Sequence, residues 1–433
     1  MIKIITYGTF DHLHQGHINL LKKAKALGDY LIVGVTTENF DITRGKINVQ
    51  QSLMERIEAV KATGLADEVF PEEYEGQKID DIKRNNVDIF AIGSDWIGKF
   101  DYLNEYCHVV YLPRTEGISS TMIRSKKNVK LGVIGSDPSM VKLLNEVDYI
   151  DGLEIHSVYL DSAMNKRIVD FPLAKDISSL LKETDAIYIA CKPVDRYKYI
   201  KLALEAGKHV ICDSPVALKK EEAEEVFLLA HKNKLCLYDS IKTAYSLAFS
   251  RLVLLIKSGI IGEIKSIDST CTSQEMYDWL KETNFGTSMT IWGPFGLLPV
   301  LKILGTEYKT ISFNTLHSTE MKDIFTKINF TYDNAVATVN VGVGVKSEGD
   351  LRIAGTKGYI YVPAPWWKTE YFEIRFENQA YNKRYFYKLD GEGLRTELVN
   401  FVHSINTGND NYYLEEKLSK KVSEILEAHN KAM

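Results

Sequence analysis

Two histidines, His14 and His17, lie three residues apart in the segment that follows the first predicted strand. This spacing places both imidazoles on one side of the first turn of a predicted helix, where unpaired backbone N–H groups and the helix dipole attract anions. Gly8 and Gly16 in the same segment let the backbone approach a ligand closely. Two imidazoles at a helix N-terminus suit a phosphate whose charge grows in a transition state. The spacing alone also permits two ordinary surface histidines or a metal site.

A second polar cluster follows the last strand predicted in the same region. Arg114 can bind two phosphate oxygens at once, and Thr115 follows it directly. Three hydroxyl residues at 119–121 lie at the predicted start of a helix, where backbone N–H groups can receive further phosphate oxygens. A plain helix cap, the alternative interpretation, needs only one Ser or Thr. Between the two clusters, residues 93–96 (Gly-Ser-Asp-Trp) end another strand and could contact a nucleotide or a second substrate.

Strands and helices alternate through the first 125 residues, which predicts a parallel sheet covered by helices on both faces. The polar segments described above follow predicted strands, and ligands bind outside the carboxyl ends of strands in such sheets. The segment 52–55 (Ser-Leu-Met-Glu) has the form of a capping box and predicts a helix that ends at Gly64. The predicted strands are Lys3–Tyr7, Tyr30–Thr36, Asp67–Phe70, Val87–Gly93 and His108–Leu112.

The alternation resumes after residue 130, with Leu235–Tyr238 as the last short strand before the pattern changes. After about residue 264 the strands are longer and alternate between apolar and polar residues, which predicts a mostly antiparallel sheet. The fold class is therefore α/β: an N-terminal Rossmann-like domain, a second Rossmann-like parallel-sheet domain, and an α+β domain with a mostly antiparallel sheet. We expect these domains at 1–125, 129–240 and 241–433.

The composition excludes several broad classes of function. The chain has 433 residues, and 53 Lys and Arg against 58 Asp and Glu give a net charge of −5, which argues against a nucleic-acid partner. No apolar run approaches the roughly 18 residues of a membrane span, and the N-terminus lacks the features of a signal peptide. The five cysteines lie far apart, which argues against a disulfide scaffold. We therefore expect a cytoplasmic globular protein.

The second half begins with a strand followed by a partial dinucleotide fingerprint. Only Gly135 matches it, because Asp137 and Met140 occupy the positions of the second and third glycines. An aspartate brings bulk and negative charge to a place where the backbone must approach a pyrophosphate. Asp161, after the next strand, could still bind a ribose hydroxyl. A domain without a dinucleotide is at least as compatible with these residues.

Residues 1–124 closely resemble the glycerol-3-phosphate cytidylyltransferases of the HxGH nucleotidyltransferase superfamily. The resemblance is carried by YGTFDHLHQGH, GSDWIGKFD and VVYLPRTEGISSTMI, and it covers the whole first domain. Two departures are mild: His12 stands where a leucine is usual and Ser120 where a threonine is usual.

The resemblance implies a role for each matching residue. His14, His17, Arg114 and Lys46 would be the catalytic groups that neutralise charge. Arg44, Arg56 and Trp96 would contact the second substrate. The nucleotide would be bound by Gly8, Thr9, Phe10, Asp11, Gly16, Asp95, Thr115, Ser119, Ser120 and Thr121.

Residues 129–430 resemble the Gfo/Idh/MocA oxidoreductases through DAIYIACKPVDRYKYIKLALEAGKHVICDSPVAL, LVLLIKSGIIGEIKSI and LRIAGTKGYIYV. Gly135, Asp161 and Pro215 would be the cofactor-binding residues if NAD(P) binds. The active-site positions depart from the family, because Ser214 replaces the lysine of the usual Glu-Lys-Pro. Our alignment places Ile291 and Phe295 where the family has an aspartate and a histidine. At a separate position, Arg196 replaces another histidine that is common in the family. A rearranged site could use Lys192, Lys242 or Tyr245.

By these resemblances we expect a cytidylyltransferase that transfers CMP from CTP to glycerol 3-phosphate or a related polyol phosphate. We expect Mg²⁺ to bind with CTP, and we assign no protein side chains as its ligands. We expect a homo-oligomer, a dimer or larger, and a downstream role in a cell-wall or capsule polymer. The second half is expected to be reductase-like and catalytically silent. The alternative is a bifunctional enzyme whose second half reduces a keto precursor with NAD(P)H before cytidylylation.

Overall fold

The computed structural model describes residues 1–13, 15–37, 49, 51–74, 76–112, 128–135, 139–150, 152–160, 171–274, 287–318, 322–387, 389–408 and 413–433. Backbone contacts divide the chain into two compact units, residues 1–127 and 128–433, here called unit 1 and unit 2. Within the described ranges, no helix combines the length and the apolar character needed to cross a membrane.

Unit 1 contains a five-stranded sheet in the order β3-β2-β1-β4-β5, with every pair parallel. The central strand has buried residues on both faces: Ile4 packs with α1 and α2, whereas Ile5 and Tyr7 pack towards α3. This arrangement confirms the predicted sheet with helices on both sides. The elements are β1 (Lys3–Gly8), α1 (Gln15–Lys25), β2 (Tyr30–Thr36), α2 (Leu53–Ala62), β3 (Glu68–Glu72), α3 (Gln77–Asn85), β4 (Ile89–Gly93) and β5 (His108–Leu112).

The predicted capping box at the start of α2 is present. The Ser52 hydroxyl accepts a hydrogen bond from the Glu55 N–H at 3.4 Å, and the Glu55 carboxylate accepts one from the Ser52 N–H at 2.7 Å. Two of the backbone donors at the helix start are thereby satisfied. The helix ends at Ala62, with Thr63 as its C-cap and Gly64 just beyond.

Unit 2 begins with a second parallel sheet, in the order β10-β9-β8-β6-β7. Its last strand differs from the predicted Leu235–Tyr238. Lys234 has a left-handed backbone conformation, and the Leu235 N–H donates to the Ala230 carbonyl, so residues 234 and 235 close the preceding helix. The strand therefore runs two residues later and carries Asp239 and Ser240. The elements are β6 (Val129–Gly135), α4 (Ser139–Val147), β7 (Leu153–Tyr159), α5 (Ile177–Glu183), β8 (Ala186–Ala190), α6 (Pro193–Glu205), β9 (His209–Asp213), α7 (Lys220–Asn233) and β10 (Leu237–Ser240).

The rest of unit 2 is an eight-stranded sheet in the order β12-β13-β14-β11-β15-β16-β17-β18. It is antiparallel except for the β11–β14 pair, which confirms the predicted mostly antiparallel sheet. The elements are α8 (Leu247–Lys257), β11 (Ile264–Ser273), α9 (Thr287–Leu304), β12 (Thr310–Leu316), β13 (Phe325–Thr331), β14 (Val336–Val343), β15 (Leu351–Gly355), β16 (Tyr359–Val362), β17 (Tyr371–Arg375), β18 (Lys383–Phe386), α10 (Leu394–Thr407) and α11 (Glu416–Ala432).

Candidate functional site

The site of unit 1 lies where the order of its strands reverses. Strand β1 pairs with β2 on one side and with β4 on the other, so the connections after β1 and β4 leave the sheet in opposite directions. A crevice forms at such a point, outside the carboxyl ends of the strands, and ligands of parallel sheets bind there. The predicted phosphate-binding segment, residues 8–17, begins at this edge.

The loop after β1 is tightly fixed. Phe10 and Asp11 are both about 1% exposed, and Phe10 and His12 have positive φ angles of 53° and 45°. A side chain at residue 8 would bring its Cβ to within 2.9 Å of the Phe10 ring, so glycine lets this buried ring pack against the end of the strand. The loop is therefore held in an unusual backbone conformation by the ring beneath it.

Hydrogen bonds from the start of α2 hold this loop from outside. The Asp11 carboxylate accepts from the Gln51 N–H at 2.9 Å, and the Gln51 side-chain oxygen accepts from the His12 N–H at 2.7 Å. Because the two bonds run in opposite directions, they fix both the position and the orientation of the loop. Gln51 was not predicted as a site residue, because only the fold shows that it reaches residues 11 and 12.

Arg56 binds the same region through backbone carbonyls. Its guanidinium is fully buried and donates to the carbonyls of Thr9 at 2.9 Å, Thr36 at 2.7 Å and Gln51 at 3.0 Å. The sequence predicted Arg56 as a cationic contact for the second substrate. The structure places it beneath the loop, where it joins the ends of β1 and β2 to the start of α2.

Thr36, the last residue of β2, is a further site residue that the sequence analysis missed. It is completely buried, and its hydroxyl lies 3.3 Å from that of Thr9 and 3.5 Å from the Gly8 carbonyl. Its position at the carboxyl end of the strand beside β1 is the sequence feature that could have indicated a site residue. Thr36 therefore extends the polar floor of the crevice.

His17 lies in the first turn of α1, next to the loop. Its partly exposed imidazole packs edge-on against the Phe10 ring, with ring centroids 5.4 Å apart and planes at 63°. This contact gives the imidazole a fixed position beside the helix N-terminus, where an anion is stabilised. The structure thus brings His17 and Gly16 together with residues 8–11.

At the end of β4, Gly93 has no heavy atom within 4 Å of where a Cβ would lie, so this part of the crevice is open. Residues 94–96 form a short 3-10 turn, and the Trp96 ring lies 5.8 Å from that of Phe100 with the Lys99 ammonium 4.7 Å from its centroid. The turn places residues 95 and 96 at the same sheet edge as the loop after β1. The side chain of Asp95 lies outside the described residues, as do His14, Arg44, Lys46, Arg114, Thr115, Ser119, Ser120, Thr121, Asp137 and Asp161.

The carboxyl ends of β8, β9 and β10 in unit 2 carry a buried polar cluster. The Tyr188 hydroxyl donates to the Asp213 carboxylate at 2.7 Å, and the Lys242 ammonium lies 3.7 Å from the same oxygen. The Ser240 hydroxyl donates to the Glu397 carboxylate at 2.6 Å. Burial is the main cause that raises the pKa of Glu397 to about 8, so this carboxyl is mostly protonated at neutral pH.

We expect the stability of unit 2 to fall as pH rises from about 4.5 to 8, because folded Glu397 holds its proton while the unfolded chain releases it. Each unit of pKa difference corresponds to about 1.4 kcal/mol. Glu397→Gln should remove this contribution and leave the variant several kcal/mol more stable than the wild-type chain at pH 9. Urea unfolding at pH 5, 7 and 9 measures this difference, with exposed Glu205→Gln as the control. Equal pH dependence in the wild-type chain and Glu397→Gln would contradict the assignment.

Our alignment places Ser214, Ile291 and Phe295 at the family's active-site positions. Ser214 offers a hydroxyl where an ammonium is usual, and Ile291 packs against the apolar Val343. Phe295 lies 5.8 Å from the Trp292 ring. Ile291 and Phe295 supply neither a cation nor a proton donor, and the Ser214 hydroxyl supplies no charge to a developing alkoxide.

Two other positions considered in the sequence analysis have clear structural roles. Arg196 is 6% exposed and donates to the carbonyls of Cys191 at 3.1 Å and Pro215 at 3.3 Å, so it joins the loops after β8 and β9. Tyr245 is completely buried, and its ring lies 6.2 Å from that of Tyr238. Of the three residues considered for a rearranged site, Lys242 contacts the polar cluster through Asp213.

Gly135, the single match to the dinucleotide fingerprint, lies against protein backbone. Its φ is 140°, and a Cβ would lie 1.9 Å from the Ala190 carbonyl oxygen at the end of β8. The glycine is therefore required where β6 passes β8. Its place in the structure gives no separate support for a cofactor.

The sheet order and the fixed loop after β1 define unit 1 as a Rossmann-like α/β domain. Residues 5–126 match the cytidylyltransferase-like family model. They are 52% identical over 124 residues to a glycerol-3-phosphate cytidylyltransferase of Bacillus spizizenii, covering 29% of this chain and 95% of that protein. The corresponding Bacillus subtilis protein is 50% identical over 126 residues, with 29% and 97% covered. The chain belongs to the cytidylyltransferase family, which confirms the first resemblance.

Residues 129–239 match the model of the oxidoreductase family with an NAD-binding Rossmann fold, which confirms the second resemblance. A 3-ketoreductase from Actinomadura kijaniata, KijD10, solved with NADP and TDP-benzene, has a TM-score of 0.62 at 16% identity, covering 70% of this chain and 97% of that one. The UDP-N-acetylglucosamine 3-dehydrogenase GnnA from Acidithiobacillus ferrooxidans has a TM-score of 0.60 at 16% identity, with 71% and 98% covered. At this identity the likeness shows the fold of unit 2. The chain is thus a cytidylyltransferase-family domain fused to an oxidoreductase-like domain.

Proposed function

We propose that unit 1 transfers CMP from CTP to glycerol 3-phosphate or a closely related polyol phosphate, releasing pyrophosphate and a CDP-polyol. The observation that carries this proposal is the 52% identity to a glycerol-3-phosphate cytidylyltransferase over 95% of its length. The fixed loop beside the N-terminus of α1 supports it, because this arrangement suits a triphosphate.

The reaction needs positioning and charge neutralisation more than proton transfer. A phosphate monoester has a second pKa of about 6, so its oxygen is already ionised at neutral pH and needs no general base. This oxygen forms a bond to the α-phosphorus of CTP, the bond from that phosphorus to the bridging oxygen breaks, and pyrophosphate leaves with the electron pair. The transition state is stabilised by groups that bind its equatorial and leaving oxygens.

In this proposal some residues of unit 1 contact the substrates, and others hold the contacting residues in position. His17 and His14 donate hydrogen bonds to phosphate oxygens, while Arg114 and Lys46 neutralise the departing pyrophosphate. The nucleotide is bound by the backbone of residues 8–11 and 16, by Asp95 and Thr115, and by the hydroxyls at 119–121. Trp96 and Arg44 contact the polyol phosphate, and Arg56 is a positioning residue that fixes the loop from below.

Mg²⁺ would arrive bound to the phosphates of CTP and neutralise part of their charge. Among the described residues, no three His, Cys, Asp or Glu side chains are grouped so that they could hold a metal ion. Asp11 is a buried carboxylate of the loop after β1.

A substrate panel tests the proposed function. Pyrophosphate release from CTP is measured with glycerol 3-phosphate, ribitol 5-phosphate, erythritol 4-phosphate, choline phosphate and ethanolamine phosphate, and then with ATP, GTP and UTP in place of CTP. We expect release with CTP and a polyol phosphate, and much less with the cationic amino-alcohol phosphates. Release that is equally fast with every acceptor, or absent with all of them, would contradict the proposal.

The CDP-polyol is an activated donor of a polyol phosphate, so a transferase that builds a polyol-phosphate polymer would consume it. We propose that this polymer belongs to a cell wall or a capsule, that the protein works in the cytoplasm, and that it forms a dimer or larger homo-oligomer. Sedimentation velocity of the full chain measures the last of these.

We further propose that unit 2 is not an ordinary NAD(P)-dependent reductase. Ile291 and Phe295 lack a proton donor and Ser214 lacks the charge that stabilises a carbonyl acceptor. The bifunctional alternative is favoured by the oxidoreductase-family match and by the NADP-bound structure that unit 2 resembles in fold. In that alternative Lys242 is the available cation.

The full chain is therefore expected to show no reduction of dihydroxyacetone phosphate with NADH or NADPH, measured as loss of absorbance at 340 nm. Nicotinamide fluorescence on titration with the full chain reports binding separately from reduction. Reduction that is lost in Lys242→Met but kept in the control Lys265→Met, at an exposed position, would establish the bifunctional alternative.

A further inference from the structure

Gln51 lies between the loop after β1 and the helix that supports this loop. It directly precedes Ser52, the N-cap of α2, and it is partly exposed. Three of its polar atoms, the backbone N and O and the side-chain Oε1, make hydrogen bonds to residues around the crevice of unit 1. Gln51 therefore connects the start of α2 with the loop.

The backbone of the loop is held in a conformation that is unfavourable for residues with side chains. Phe10 and His12 have positive φ angles of 53° and 45°, in the left-handed region. The ring of Phe10 is buried and fixes its own residue, whereas His12 is partly exposed. A hydrogen bond from outside the loop is therefore most effective at His12.

The side-chain carbonyl of Gln51 makes this hydrogen bond. The His12 N–H donates to Gln51 Oε1 at 2.7 Å, at the short end of the range for N–H···O bonds. One residue earlier in the loop, the Asp11 carboxylate accepts from the Gln51 N–H at 2.9 Å. A single residue 39 to 40 positions away in the chain thus holds two neighbouring residues of the loop.

Arg56 in turn holds Gln51. Arg56 Nε donates to the Gln51 carbonyl at 3.0 Å, and Nη1 of the same buried guanidinium donates to the carbonyls of Thr9 and Thr36. The position of Gln51 is therefore fixed relative to the ends of β1 and β2. Through its side chain this fixed position is passed on to His12.

From these contacts we infer that Gln51 is a positioning residue for the transfer of CMP, and that it acts through the backbone of His12. The inference rests on the proposed function. The chain runs from His12 into α1, whose first turn carries Gly16 and His17. A shift of about 1 Å in groups that stabilise a transition state can lower a rate about 10²-fold, so the conformation at His12 should affect the chemical step.

Kinetics of pyrophosphate release from CTP test the role of the side-chain carbonyl. Gln51→Met keeps most of the side-chain length and removes the acceptor, so we expect kcat to fall about 10–100-fold and the KM for CTP to change less than about threefold. Gln51→Glu keeps an oxygen that accepts from the His12 N–H and should recover most of kcat. Its added negative charge should raise the KM for CTP. The control Gln379→Met makes the same change at an exposed position of unit 2 and should alter neither constant.

Amide hydrogen exchange tests the contact independently of activity. Loss of the acceptor should speed exchange of the His12 N–H about tenfold in Gln51→Met and leave it unchanged in Gln379→Met. Melting temperatures of all the variants give the fraction of folded protein at the assay temperature, so kcat can be expressed per folded molecule.

Several results would overturn the inference. These are a wild-type kcat per folded molecule in Gln51→Met, an equal loss of kcat in Gln51→Met and Gln51→Glu, and unchanged exchange at His12. If the activity of Gln51→Met falls only as far as its folded fraction does, Gln51 has a purely structural role. Failure of the proposed function is distinguishable, because the wild-type chain would then release no pyrophosphate from CTP, and the inference would be overturned with it.

Discussion

Replacement of His17 by alanine is expected to lower the rate of CMP transfer by about 10²–10³-fold, the usual effect of removing one preorganised donor to a developing oxyanion. The imidazole is held beside the N-terminus of α1 by its edge-on contact with Phe10, so its position is set before substrate binds. Because the donor acts mainly on charge that develops in the transition state, kcat should fall more than the affinity for CTP. Pyrophosphate release and CTP titration measure the two effects.

The matched control is His108→Ala, which removes an exposed imidazole at the start of β5, at the opposite end of the strand from the crevice. This variant should keep full activity. If correctly folded His17→Ala turned over at the wild-type rate, the crevice after β1 would not be the site of transfer.

Arg56→Met should lower the free energy of unfolding of unit 1 by about 3–5 kcal/mol, because it leaves buried carbonyls without their charged donor. The carbonyls concerned are those of Thr9, Thr36 and Gln51. Methionine retains much of the buried volume, so the loss reflects mainly the missing hydrogen bonds. Chemical denaturation followed through the fluorescence of Trp96, the tryptophan of unit 1, measures this change.

A direct substrate contact at Arg56 predicts a different outcome. In that case Arg56→Met would unfold at the wild-type denaturant concentration and show a raised KM for the polyol phosphate. A positioning role predicts lower stability together with a lower kcat, and Arg56→Lys should recover only part of either, since an ammonium cannot reach three carbonyls in the geometry of a guanidinium. Exposed Lys61→Met on the same helix is the control.

The local signals in the sequence predicted the elements well. The capping box at Ser52 depends on residues three apart, and the strands of both parallel sheets depend on short apolar runs, so neither needs tertiary information. The assignment of residues 8–17 to phosphate binding depends on a similar local signal, the strand directly before them, and stays a prediction.

The sequence is least informative where distant segments meet. Arg56 contacts Thr9 and Thr36, which are 47 and 20 residues away, and no local pattern shows that its guanidinium lies beneath a loop. Gln51 and Thr36 were missed for the same reason. Strand β10 was placed two residues too early because the left-handed conformation of Lys234 was not apparent from its residue type.

The close approach of β6 to β8 affects how the second half of this chain can be classified from its sequence. Only glycine fits at residue 135, because a methyl group would overlap the Ala190 carbonyl whether or not a dinucleotide binds. A search pattern that scores this glycine as cofactor-binding therefore counts a packing requirement of the sheet as a functional feature. An attempt to give unit 2 dinucleotide affinity would have to change residues 137 and 140, and Gly135→Ala would report on folding and not on the cofactor.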